Sequence, residues 1–219
     1  MPIFKTKNEN FFKKWSSEMA YVLGFFCADG SMTQNKRGAC FIEFQITDED
    51  LLEKIKTVLG SNHKITARKR DPKFKTSYRL QIGSKAIFND LINLGIVPQK
   101  SKILKFPKIP KKYLSDFVRG YFDGDGNVVV SQYNRKNRKS HKGRTMFAGF
   151  TSGSKNFLVG LQKCLQKHAF LGKGSLYFAS KGHRLYYSVN DTKKLYSFMY
   201  RKLKSDLFLI RKKRIFELY

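Results

Sequence analysis

Apolar residues along this chain follow two periods that alternate, stop, and then start again in the same order. Residues 18–28 (EMAYVLGFFCA) are almost uniformly apolar, follow Ser16–Ser17 and end at Asp29–Gly30, which predicts a buried helix with a serine start. A first strand is expected near 31–37. FIEFQIT (41–47) then alternates strictly, with Ile42, Phe44 and Ile46 on one face and Phe41, Glu43 and Gln45 on the other, as a half-buried strand does. Asp48 reads as the cap of a helix carrying Leu51, Leu52, Ile55, Val58 and Leu59, closed by Gly60. Strand-like runs at 64–70 and 77–83 and a helix over 85–94, ending at Gly95, complete an α-β-β-α-β-β-α order. The second pass predicts helices over 115–124, 154–167 and 192–203, and strands near 127–134, 144–151, 174–180 and 184–189. A basic amphipathic stretch, 206–218, predicts a last helix with no counterpart in the first half. Between the passes, IVPQKSKILKFPKIPKK (96–112) holds three prolines and six lysines and reads as an extended linker. The expected organisation is a first half over 1–95, a linker over 96–112 and a second half over 113–219.

The repetition extends to residue identity. Residues 21–31 read YVLGFFCADGS and residues 117–127 read FVRGYFDGDGN. Gly24 aligns with Gly120, Phe26 with Phe122, Asp29 with Asp125 and Gly30 with Gly126, all at an offset of 96. Downstream, 42–59 aligns with 148–165 at an offset of 106, the difference being a longer basic loop around Asn134 to Arg144. Gly24 and Ala28, like Gly120 and Gly124, are small residues four apart on one helical face. Two helices meeting there approach more closely than the usual ~8–10 Å. Their C-terminal ends then bring Asp29 and Asp125 together. Two carboxylates at the negative ends of two helices need cations beside them, and Mg2+, which prefers oxygen ligands, suits that need. A lone Asp-Gly is ordinary turn chemistry; only the duplication raises it above that.

Charge narrows the partner. Lys plus Arg number 44 against 16 Asp plus Glu, a net charge of +28, while 20 Phe and 11 Tyr supply a core. Such an excess fits a polyanion, and nucleic acid is the usual one. No long apolar span or lipidation signal points to a membrane. Cys27, Cys40 and Cys164 are too few and too scattered for a disulfide framework or a zinc site, and His63, His141, His168 and His183 share no metal-binding spacing. The expected setting is intracellular, with the nucleic acid: a bacterial or archaeal cytoplasm, or an organelle matrix. No secretory signal is evident, and intein splice residues are absent from both ends, so the chain reads as free-standing.

VLGFFCADG (22–30) and VRGYFDGDG (118–126), with the flanks KWSSEMAY and FPKIPKKYLSDF, resemble the two motif copies of single-chain LAGLIDADG homing endonucleases. The resemblance covers nearly the whole chain. It implies an α+β fold of two pseudo-symmetric αββαββα halves, whose two antiparallel sheets form a DNA-binding saddle. It implies a metal-dependent double-strand break in a long asymmetric DNA target, leaving short 3′ overhangs. The last motif acid is the family's metal ligand, here Asp29 and Asp125. The preceding motif position is Cys27 in one copy and Asp123 in the other, so Asp123 is given no catalytic role. Mg2+ is the implied cofactor, with Mn2+ substituting and Ca2+ binding without cleavage. A polar and a basic side chain beside the attacking water are expected at Gln45, whose repeat partner is Thr151, and at Lys85 and Lys193.

If the apolar strand faces pack on helices, parity puts Thr33, Asn35, Glu43, Lys64, Thr66, Arg68, Arg70, Arg79 and Gln81 against DNA from the first half. From the second half it nominates Tyr133, Arg135, Thr145, Thr151, Tyr177, Lys181, Arg184, Tyr186 and Ser188. Arg and Lys pair with guanine, Gln and Asn with adenine, in a major groove that admits a β-ribbon. The expected partner is double-stranded DNA, bound by a monomer. The alternatives left open are an intron RNA maturase, acting on its host intron RNA, and a DNA-binding protein that does not cut.

Overall fold

The computed structural model describes residues 4–69, 73, 75–134 and 142–219. Arg70, Arg135 and most of the basic loop before Arg144 lie outside the described residues. The first half runs α1 (Ser17–Asp29), β1 (Gly30–Gln34), β2 (Cys40–Ile46), α2 (Glu49–Val58), β3 (Ile65–Arg68), β4 (Ser77–Gly83) and α3 (Lys85–Asn93). The second runs α4 (Leu114–Asp125), β5 (Gly126–Asn134), β6 (Lys142–Ser152), α5 (Lys155–Ala169), β7 (Ser175–Ala179), β8 (Gly182–Tyr187) and α6 (Val189–Tyr200), followed by α7 (Ile210–Glu217). Each half folds its strands into one antiparallel sheet, ordered β1-β2-β4-β3 and β5-β6-β8-β7.

Helix α1 starts where Ser16, in extended conformation, accepts a hydrogen bond from the Met19 amide at 3.0 Å. Every residue from Met19 to Cys27 is buried, which explains why its sequence lacks an amphipathic stripe: it is a central helix, covered all round. What covers it is α4. A Cβ on Gly24 would overlap the Phe117 carbonyl oxygen and stand 3.0 Å from the Tyr121 amide nitrogen. A Cβ on Gly120 would overlap the Tyr21 carbonyl oxygen and stand 3.0 Å from the Phe25 amide nitrogen. The helices thus cross backbone on backbone, and only glycine fits at the crossing.

Each sheet buries one face. Along β2, Cys40, Ile42, Phe44 and Ile46 are buried and Phe41, Glu43 and Gln45 are half-buried, with α1, α2 and α3 packed on the apolar side. In β6, Met146, Ala148 and Phe150 play the same part beneath α5 and α6. Phe26 meets Phe44 edge-on at 5.1 Å and Phe122 meets Phe150 edge-on at 5.5 Å, so the motif helices anchor both sheets identically.

Three local expectations change. Asp48 occupies the start of α2 but caps no amide; its carboxylate instead binds Arg211. Segment 96–112 is not simply extended, since it forms single 3-10 turns at Lys100–Lys102 and Lys111–Tyr113. The last helix begins at Ile210 rather than 206, because Leu207 and Leu209 are buried as an extended strap before it.

Candidate active site

Asp29 and Asp125 are the last residues of α1 and α4, the two helices that cross at glycine. The Asp29 carboxylate therefore lies against the partner helix: a Cβ on Gly124 would stand 3.0 Å from its Oδ2. Burial first, and then the charge of Asp125, push the Asp29 pKa up from 3.8 to about 6. Burial also raises Asp125, opposed by the positive charges of Lys100 and Lys212. Both acids sit at helix C-termini, where the peptide dipoles disfavour a negative charge further.

Two buried lysines stand beside them. Lys100 donates from Nζ to the Gly30 carbonyl at 2.5 Å and lies 5.8 Å from the Phe26 ring centroid. Lys212, on α7, donates to the carbonyls of Phe122 (2.8 Å), Asp123 (2.7 Å), Gly124 (3.1 Å) and Gly126 (2.6 Å) and lies 5.5 Å from the Phe122 ring. Gly30 and Phe26 are the repeat counterparts of Gly126 and Phe122, so the lysines form a pseudo-symmetric pair. Each covers the carbonyl of the glycine that follows its motif helix, and Lys212 also covers carbonyls of the last turn of α4. Burial lowers both ammonium pKa values, that of Lys212 to about 8.

Asp29 and Lys100 open on a cavity of about 540 Å3 that Gly30, Gln45, Ser77, Asp123 and Arg211 also line; Asp125 and Lys212 lie outside its wall. Gln45 donates to Ser77 Oγ at 3.2 Å. Strand pairing explains its place: Gly30 pairs with Phe44, so Gln45 follows directly beside the end of α1. Gly126 pairs with Phe150 in the same way, bringing Thr151 to the other side, where its carbonyl accepts from Tyr121 at 2.7 Å. No cluster of three His, Cys, Asp or Glu gathers among the described residues. The protein thus offers a divalent cation two neighbouring carboxylates, that of Asp29 opening on the cavity, rather than a cage. That donor set fits Mg2+, which keeps several waters and takes phosphate oxygens as ligands.

Lys85 and Lys193 are not brought to this site. Gly83 pairs with Phe41, at the far end of β2 from Gln45, so α3 begins roughly 13 Å away along the strand. Lys85 is exposed there. Lys193, exposed on α6, lies 4.8 Å from the Tyr219 ring instead. Lys100 and Lys212 are the basic side chains that stand there instead. Their one sequence signal is that each follows the closing helix of its half after a short apolar run, Ile96–Val97 or Leu207 to Ile210.

Residues 16–93 and 112–199 both match the family model of the LAGLIDADG-like domain. The chain belongs to the LAGLIDADG family. Two four-stranded antiparallel sheets with flanking helices are the family's meganuclease fold, shared with I-WcaI bound to its DNA recognition sequence (TM-score 0.61, 15% identity, 95% of this chain and 91% of that one). Among curated relatives, the chain is 25% identical over 188 residues to the intron-encoded DNA endonuclease ai2b of Dictyostelium discoideum, covering 75% of this chain and 68% of that protein. It is 31% identical over 119 residues to DNA-directed RNA polymerase subunit Rpo1C of Methanocaldococcus jannaschii, spanning 52% of this chain but only 13% of that protein. No helix among the described residues is long and apolar enough to cross a membrane.

In this LAGLIDADG chain the sheet faces turned away from the helices differ between halves. Strand pairing places Thr33, Glu43, Gln45, Thr66, Arg68, Arg79 and Gln81 on the open face of the first sheet. It is polar, and Glu43 accepts from Arg79 at 3.4 Å and Gln81 at 3.3 Å. Tyr133, Thr145, Thr151, Tyr177, Arg184 and Tyr186 share the open face of the second sheet with Val129 and Phe147. This face is aromatic: Tyr177 stacks on Tyr186 at 6.1 Å, and Phe147 meets Tyr186 at 5.9 Å. The remaining nominees lie off the strands. Lys64 is exposed before β3, and Ser188 is exposed just before α6. Lys181 forms the β7–β8 turn at φ 65°. Asn35 uses its Oδ1 to hold the Arg37 and Ala39 amides of the β1–β2 turn.

Proposed function

We propose that the chain is a site-specific endonuclease that makes a double-strand break in a long asymmetric DNA target, with a divalent cation at Asp29 and Asp125. The observation that carries this reading is the pair of buried motif aspartates, one from each repeat, delivered side by side by helices that cross at glycine. A protein that only bound DNA or host intron RNA would gain nothing from two carboxylates that burial makes costly. The ai2b relative is by name a DNA endonuclease, and I-WcaI was solved on its recognition sequence; both support the reading.

Asp29 and Asp125 would hold Mg2+, which when bound supplies Lewis acidity at the scissile phosphate and makes a water more acidic. Lys100 and Lys212 place positive charge where the phosphate gains negative charge, in a partly dry setting that strengthens it. Gln45 on one side and Thr151 on the other orient the attacking water. Their difference makes the halves unequal, as suits an asymmetric site. The open sheet faces lie along the major groove, polar residues of the first half and aromatics of the second reading base edges. The net charge of +28 supplies the salt-dependent hold on phosphates. One chain carries both halves and acts as a monomer.

The test is selection of cleaved sites from a random duplex library in Mg2+, with Ca2+ and chelator controls. One long asymmetric site, cut in both strands only with Mg2+, is expected. Recovery of no cut sequence, or cutting that survives chelator, overturns the reading.

A further inference from the structure

The two lysines arrive on segments that cross between the halves, and among the described residues only one of those segments is held by buried charge. The turn carrying Lys100 leaves the first half and is fastened to the second. Ser154, which caps α5, donates to the Leu104 carbonyl at 2.6 Å, and a Cβ on Gly153 would overlap the Ser101 carbonyl oxygen. The segment carrying Lys212 leaves the second half and is fastened to the first. Arg211 donates Nε and Nη2 to the two oxygens of Asp48 at 2.8 and 2.7 Å, and Lys54 lies 3.2 Å from the Asp206 carboxylate. Asp48 and Ser154 are repeat counterparts, so the crossing is pseudo-symmetric.

Beneath the second crossing the symmetry breaks. Arg119, fully buried on α4, donates Nε to the Leu207 carbonyl at 3.1 Å and Nη1 to the Met199 carbonyl at 3.0 Å, while Nη2 pairs with Asp116 at 2.8 Å. Asp123, also buried, accepts from the Leu209 amide at 2.9 Å and from Tyr21 at 2.6 Å. The first motif copy has Leu23 and Cys27 at these two positions and packs without buried charge. Burying a guanidinium and a carboxylate on a central helix costs free energy unless their hydrogen bonds are made. Here those bonds go to the backbone of residues 199–209, the stretch leading into Lys212. The Leu209 amide bond fixes the chain three residues before that lysine, and Arg211 fixes it one residue before.

We propose that residues 199–212 form a strap whose anchors, Arg119, Asp123 and Asp48, are positioning residues for Lys212. This rests on the endonuclease reading above. A duplicated centre on a duplex presents one copy to each strand, so each lysine serves one strand. Loosening the strap then impairs the strand served by Lys212 and spares the one served by Lys100.

The experiment uses the full chain and a supercoiled plasmid bearing its selected target, each strand labelled separately. Lys212→Met and Lys100→Met define the two strand biases. Arg119→Leu, Asp123→Asn and Arg211→Ala should each slow the Lys212 strand about tenfold more than the other and accumulate nicked circles. Hydrogen exchange without DNA should show the Leu209 amide losing protection in the Arg119 and Asp123 variants. Where Arg119→Leu does not fold, Arg211→Ala carries the same expectation, because its ion pair is partly exposed. Equal slowing of both strands, or a bias opposite to that of Lys212→Met, overturns the proposal. So does unchanged Leu209 exchange. A wild-type protein that cuts no DNA sinks the endonuclease reading instead, and the exchange measurement then decides the strap alone.

Discussion

Replacing Asp29 with asparagine should stabilise the cation-free protein while removing its proposed activity. In the unfolded chain this carboxyl ionises near 3.8, and in the fold near about 6, because burial and Asp125 oppose the charge. The folded state therefore binds the proton more tightly. Stability from this group is complete below pH 3.8, falls as pH rises to about 6, and stays low beyond. The difference corresponds to roughly 3 kcal/mol at pH 7.5 and roughly half that at pH 5. Asparagine keeps the shape without the charge, so Asp29→Asn should gain up to ~3 kcal/mol in chelator at pH 7.5, or roughly 6–12 °C in Tm. Urea and thermal unfolding at pH 7.5 and pH 5 measure it. Mg2+ should narrow the gap by stabilising the wild type more than the variant. A variant less stable than wild type at pH 7.5, or a gain that does not shrink toward pH 5, refutes the reasoning.

Gly24→Ala or Gly120→Ala forces a methyl group into the opposing backbone and should cost at least ~3 kcal/mol, read by urea unfolding; near-neutral variants would mean the helices can separate freely. Lys100→Met and Lys212→Met should slow cleavage on the order of 100-fold without loss of DNA affinity, while Lys85→Ala and Lys193→Ala leave the rate unchanged, as kinetics on the selected site will show. Replacing thymine by uracil across the target removes the methyl groups that an aromatic face contacts. Binding titrations should weaken more for uracil in the half-site under the second sheet, and equal losses in both halves contradict that docking.

The duplication, the glycine crossing and the two terminal aspartates are visible in the chain because each depends on local order. A motif at constant offset, small residues one turn apart and an Asp-Gly helix end all lie within a few residues. Strand parity likewise carries Glu43, Gln45, Arg79 and Gln81 to one face, since burial alternates along β2 and β4. The lysines are different. Lys100 is one of six in a segment without periodicity, and Lys212 sits in a basic run; only tertiary bonds from Ser154, Asp48, Arg119 and Asp123 bring them inward. Lys85 and Lys193 mislead because one begins α3 and the other lies one turn into α6, each helix following a strand that borders the site. Antiparallel pairing sends the other end of that strand to the centre. Asp48 looks like a cap by position, but a capping bond is weaker than the two-point bond Arg211 offers.

The most direct test is a comparison of wild type and Asp125→Asn on the selected target, scoring affinity and scission of each strand in Mg2+. Full affinity with both strands left intact is the predicted result. Undiminished double-strand cutting by the variant would show that the duplicated aspartates are not the reactive centre.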